Sequence, residues 1–375
     1  MDLLHLSAQS YVLIAVGVLA LVTVLAIVLS IPITDVVWKY APYAYPLPKA
    51  KALEAETLEP EEFEEMKEAS LRDLVTRLEE LGIEPDRVRP VTRGNTEPVE
   101  VAIKRRAVES VMDRLAESGP EDVEAMVKAL MARYELEDLK AVIRALHAGE
   151  EPGELVDRPV LLEEDTWREV RDAKSVQEVI ERLRGTPYDR GLEDALREYE
   201  ETGSLLPVEL ALDRAYYEYL WDLVTGEEVG DELARLLGLE IDLYNVEVAL
   251  RGALMGLDPD TVLRAMADGG WELAEWRRRE LAEAEDPSEV IEQVSGTSFG
   301  RYLREALEEY SESGSADVLD RAVRRARYET VMDFVQSDIV GAPAIVQSVY
   351  AKQREVDNLI ALINAKVADV EFTPV

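Results

Sequence analysis

From residue 40 onward the apolar positions of the chain keep helical spacing. Leu71, Leu74, Val75, Leu78 and Leu81 share one face at i, i+3 and i+4, as do Val356, Leu359, Leu362 and Ile363. The alternation of period two that marks a half-buried strand is missing, so the pattern predicts an all-α chain. Helix punctuation agrees. Asp286-Pro287-Ser288 and Asp258-Pro259 read as helix starts, and Gly203 and Gly314 as helix ends.

One stretch departs from this amphipathic pattern. Tyr11 to Ile33 is 23 residues without a charge, long enough at ~1.5 Å per residue to cross a hydrocarbon core of ~30 Å. A signal peptide would want a basic start and a shorter apolar run, whereas Asp2 precedes this one and Pro32 closes it. Lys39, Lys49 and Lys51 follow it and no Lys or Arg precedes it. The expectation is a single N-terminal transmembrane helix in the cell membrane, with everything after residue 34 on the cytoplasmic side.

The helical remainder repeats itself. Residues 178–204 return at 289–315 in gapless register, EVIERLRGTPYDRGLEDALREYEETGS against EVIEQVSGTSFGRYLREALEEYSESGS. Then VELALDRAYYEYLWD at 208–222 matches VEVAIKRRAVESVMD at 99–113 and ARYETVMD at 326–333, which makes three copies. Each copy carries an i,i+4 carboxylate pair, Glu109/Asp113, Glu218/Asp222 and Glu329/Asp333. Further on, each carries an acidic residue with a polar one three positions later: Glu135 and Asp138, Asp242 and Asn245, Glu355 and Asn358. Arg144, Arg251 and Asn364 follow at equivalent positions. These markers and the turn-rich stretches at Glu150–Gly153 and Asp268–Gly270 divide the chain into an anchor over 1–34 and modules over 35–155, 156–269 and 270–375.

Composition narrows the chemistry. The formal charge is −37, from 78 acidic against 41 basic residues, so phosphate backbones are repelled and nucleic acid is not an expected partner. A salt-rich cytoplasm would screen the self-repulsion. There is no Cys and only two His, His5 and His147, which excludes thiolate chemistry and a histidine metal cluster. GxxxxGK[ST], GxGxxG and HExxH are all absent, and neither a cofactor nor a small-molecule substrate is expected. An acid/base or metal-dependent enzyme would have to be built from carboxylates alone. Repeated carboxylate pairs in so acidic a chain are better explained by common descent of the modules. Asp242 and Asn245 lie on one helix face, so such pairs read as inter-helix clamps or as partner contacts. Arg251, half a turn away, should not pair with Asp242. The glutamate run from Glu54 to Glu68 reads as a solvated face over Leu53, Leu58, Phe63 and Met66, and would suit a basic partner surface at the membrane.

Three segments resemble a known family. YAYPLPKAKALEAETLEPEEFEEMKEASLRDLVTRLEE, EIDLYNVEVALRG and the closing KQREVDNLIALINAK are similar to the C subunit of archaeal A-type ATP synthases, itself related to the d subunit of the vacuolar ATPase. The similarity runs from about Tyr43 to Asp369. It implies a funnel of three helical modules about a pseudo-three-fold axis, acting as a non-catalytic rotor component. Such a component sits on the membrane ion-translocating ring, receives the foot of the central stalk and passes torque between them. By carry-over, Asp138, Asn245 and Asn358, with Arg144 and Arg251, match the family's repeated helix. Asn364 departs from it where the other copies have Arg, and an N-terminal span is not typical of the family. The competing expectation is a membrane-tethered helical-repeat scaffold unrelated to rotation.

Overall fold

The computed structural model describes residues 16, 18, 19, 21, 22 and 37–375, except 117, 227, 228 and 336–339. Among these residues the structure is helical throughout, with turns and extended connections but no strand. Seven helices frame the body: α1 (Pro46–Ala55), α2 (Glu97–Leu115), α3 (Glu121–Ala148), α4 (Leu206–Thr225), α5 (Asp231–Met255), α6 (Ala316–Val335) and α7 (Ala342–Ala368). Shorter helices fill the intervals between α1 and α2, α3 and α4, and α5 and α6.

The helix ends follow from local chemistry. Asp258 caps the helix Pro259–Ala265 by accepting from the Thr261 N–H, and Asp286 caps Pro287–Gln293 by accepting from the Ser288 N–H. Gly203 and Gly314 close their helices in the left-handed conformation, at φ of 72° and 64°. Glu59 and Glu62 form a reciprocal capping box at the start of the helix Pro60–Glu68. The glutamate run therefore has a structural task at its centre, and Leu53, Phe63 and Met66 are buried beneath it while Leu58 is half-buried.

The long helices come as three antiparallel hairpins, α2–α3, α4–α5 and α6–α7, and the hairpins join in a cycle. α3 packs on α4, α5 on α6, and α7 on α2, with α1 laid against both α7 and α2. The second members α3, α5 and α7 also touch one another. This explains their sequences, in which apolar residues spread well round the axis. A helix enclosed on most sides has little face left for solvent, and α5 buries residues from Leu233 to Asn245 almost without interruption. One core runs from Ala50 to Val375, and a second lies between α5 and the helices from Pro259 to Ala326.

Among the described residues no helix is long and apolar enough to cross a membrane. The span expected over 11–33 falls outside the described residues, apart from Val16, Val18, Leu19, Leu21 and Val22, which are helical and exposed.

Candidate functional site

The polar positions on α3, α5 and α7 are the least expected feature of these helices, because a carboxylate or amide inside a helical core is costly unless hydrogen-bonded. Asp242 and Asn245 are fully buried, and Glu135, Asp138 and Asn358 nearly so. Their partners are backbone groups of the segment that follows each helix. Glu135 accepts the N–H groups of Val160, Leu161 and Leu162 at 2.7, 3.1 and 3.1 Å, and the Tyr188 hydroxyl donates to it at 2.8 Å. Asp242 accepts those of Trp271, Glu272 and Leu273 at 3.0, 2.7 and 3.3 Å. Glu355 breaks the pattern, since it accepts the N–H of Leu58, at the far end of the chain, at 2.9 Å.

The second member of each pair grips a point closer in sequence. Asp138 accepts from the N–H groups of Val156 and Asp157 at 3.1 and 2.9 Å. Asn245 accepts from the Ala267 N–H at 2.8 Å and donates to its carbonyl at 3.1 Å. Asn358 treats Val375 the same way, at 2.8 and 3.4 Å. An arginine completes each grip by donating to the carbonyl of the held residue: Arg105 to Val156 at 2.9 Å, Arg278 to Ala267 at 2.6 Å and Arg354 to Val375 at 2.5 Å. Sequence reasoning missed these three arginines, together with Tyr188. Arginine is normally a surface residue, and Tyr188 carried a signal only in that its counterpart in the repeat, Phe299, is also aromatic; both are fully buried.

Burial pushes the Asp242 carboxyl up to about 6, against the lowering by its three backbone N–H donors, and pushes Asp138 up to about 6 in the same way. Glu135 is likewise raised by burial. Every oxygen of these three carboxyls already accepts a backbone N–H, so each is committed to holding the chain.

Arg144 and Arg251 are placed differently. Both side chains are largely exposed, Arg144 pairing with Glu209 of α4, and Arg251 with Glu247 at 2.7 Å and Asp320 at 3.8 Å. Asn364 is exposed. The aspartates of the i,i+4 carboxylate pairs on α2, α4 and α6 sit in outer ion pairs: Arg158 meets Asp113 at 2.7 Å, while Arg190 meets Asp222 and Arg301 meets Asp333. Among the described residues no group of His, Asp and Glu converges as metal ligands would.

Where α3, α4, α5 and α6 face one another there is a charged cavity of about 300 Å³. Buried Arg327 of α6 pairs there with Glu240 of α5 at 2.9 Å and reaches Glu247 at 3.9 Å. Lys140 pairs with Asp213, and the rings of Tyr217 and Tyr244 stack with centroids 3.8 Å apart. A larger cavity, about 710 Å³, opens between the Glu54–Glu65 region and α6–α7 and is rimmed by Glu54, Glu59, Glu61, Glu64 and Arg354.

Known proteins resemble this chain along most of its length. The profile of the ATP synthase (C/AC39) subunit family matches residues 47–371. The A-type ATP synthase C subunit of Methanothermobacter thermautotrophicus is 30% identical over 87% of this chain and 84% of that one. The protein of the same name from Methanocaldococcus jannaschii is 28% identical over 90% and 86%, and that from Haloferax volcanii is 33% identical over 66% and 71%.

Proposed function

The chain belongs to the ATP synthase (C/AC39) subunit family, and from that premise we propose that it is a non-catalytic rotor component joining the central stalk of an A-type ATP synthase to the membrane ion-translocating ring. In this reading modules 35–155, 156–269 and 270–375 form a funnel about a pseudo-three-fold axis, an N-terminal span over 1–34 holds it at the membrane, and the helical body lies in the cytoplasm. Torque passes through it during ATP synthesis or ion pumping, and it takes no cofactor.

The observation that carries the proposal is the closed cycle of hairpins, α2 through α7 and back to α2. In a closed, close-packed cycle each helix is braced on both sides, so a twist applied at one end is delivered at the other with little local yielding. The buried pairs add to this. Each long inner helix is tied by its own polar residues to a segment beyond it, and Glu355 ties α7 to Leu58 beside α1. Carboxylates already filled by backbone donors suit a brace and not an acid/base catalyst. A tethered scaffold unrelated to rotation is not favoured, because the relatives carry the name of an ATP synthase component.

The test is affinity purification of the tagged full chain from native membranes in mild detergent. Stoichiometric recovery of the catalytic head, central stalk and ring is expected. Their absence, with the chain still in the membrane fraction, would overturn the proposal.

A further inference from the structure

The body of the protein is acidic, yet one described surface segment is not. Between Asp35 and Glu54 the chain holds Trp38, Tyr40, Tyr43 and Tyr45 with Lys39, Lys49 and Lys51, and no acid. Three of its apolar groups are turned outward, Val37 at 57%, Trp38 at 73% and Tyr45 at 65% exposure, while Pro46 and Ala50 further on are buried against the body. An exposed Trp and an exposed Tyr within one short segment mark a surface made to be covered. The lysines attend the rings, Lys39 Nζ lying 5.1 Å from the Tyr40 centroid and Lys49 Nζ 4.3 Å from that of Tyr45. The same lysines fix the segment to one end of the body. Lys39 lies 4.0 Å from Glu232 in the first turn of α5, and Lys49 donates to Ser118 in the α2–α3 turn at 2.7 Å.

We propose that residues 37–45 are a collar seated in the phospholipid headgroup layer, which turns the end of the body where α3, α5 and α7 begin towards the membrane. The inference rests on the N-terminal span of the proposed function and adds what the residues after it do. Distance supports lipid as the occupant. Trp38 is five residues past Ile33, and residues 37–40 are helical. At a rise of ~1.5 Å per residue five residues advance ~7 Å, which keeps the indole at the outer edge of the headgroup region. The headgroup region is ~6 Å deep on each side, and amphipathic rings with lysine concentrate there. Charge supports it too. The acidic first turns at Glu121, Asp231 and Glu232 disfavour an anionic surface, so contact is confined to the acid-free collar, which acts as a short neck.

The chain has no cysteine, so single nitroxide labels at Val37→Cys and Ala44→Cys can be read in the full chain in nanodiscs, with Ala148→Cys at the opposite end of α3 as the aqueous reference. The collar predicts an oxygen-to-nickel-chelate accessibility ratio several-fold higher at 37 and 44 than at 148. It also predicts loss of that difference when Trp38→Ala and Tyr45→Ala are added, with the melting temperature unchanged. Labels at 37 and 44 as aqueous as that at 148, on chain that stays bilayer-bound, would overturn the collar and leave the rotor reading standing. A chain that does not enter the bilayer at all would remove the span with it, and a melting temperature lowered by the double substitution would mark the rings as structural and overturn the collar as well.

Discussion

Asp242 occupies the space that a side chain on residue 270 would need: a Cβ built on Gly270 would overlap Asp242 Oδ1. Gly270 has φ of +117°, which L side chains rarely adopt, and the turn it makes presents the N–H groups of 271–273 to that carboxylate. Replacing it with Ala combines backbone strain with a steric clash, each worth ~1–3 kcal/mol. Gly270→Ala should therefore lose about 2–4 kcal/mol of unfolding free energy in denaturant titration. A loss below about 0.5 kcal/mol would show that the turn is not under this constraint.

The raised carboxyls have a defined pH signature. Asp242 ionises at about 6 in the folded protein against 3.8 ordinarily. The folded state thus holds the proton more tightly, and the associated stability is complete below pH ~4 and is lost as pH rises to ~6. Asp138 acts in the same direction. Asp242→Asn carries no such proton, so wild type should lose roughly 2–3 kcal/mol relative to the variant between pH ~4 and ~6.5. Parallel stability curves would contradict the burial argument.

Arg327 and Glu240 test the charged cavity. Both are nearly inaccessible, at 5% and 7% exposure, so Arg327→Met leaves a carboxylate buried without its partner. The expected cost is about 3–5 kcal/mol, with most of it recovered in Arg327→Met/Glu240→Met, where no uncompensated charge remains. A double variant as unstable as the single one would mean that the pair is held for packing and not for charge.

A chain of net charge −37 should be steadied by salt. Raising KCl from about 0.1 to about 1 M shortens the screening length from ~10 to ~3 Å, which relieves repulsion across the surface. The melting temperature should climb by several degrees in KCl and much less in an uncharged osmolyte at equal osmolality. Equal responses would point to general solute exclusion.

The all-helical character was legible because leucine spacing and capping residues are local signals; Asp258, Asp286, Gly203 and Gly314 do in the structure what their residue types suggest. The polar pairs on α3, α5 and α7 could be picked out because an acidic residue with a polar one three positions on recurs in each copy. What they hold could not be read, since their partners are backbone N–H groups 17 to 31 residues further on, and a backbone group has no residue type to betray it. Asp268–Gly270 looked like a boundary from its turn propensity; in the structure the chain from Ala267 to Leu273, which includes that turn, is what Asp242 and Asn245 grip. Glu355 shows the same limit from another side. Its spacing matches Glu135 and Asp242, yet it bonds Leu58 instead, because α7 packs against α1.

Rotation itself is the most direct test of the central claim. In the detergent-solubilised complex, with the catalytic head fixed to a surface, a gold bead would be attached through a single Cys at an exposed position of this chain such as Ala148 and followed during ATP hydrolysis. The rotor reading predicts stepwise, unidirectional rotation of the bead that stops when nucleotide is withdrawn. A bead that stays still while the same molecules hydrolyse ATP and turn a bead placed on the ring would contradict it.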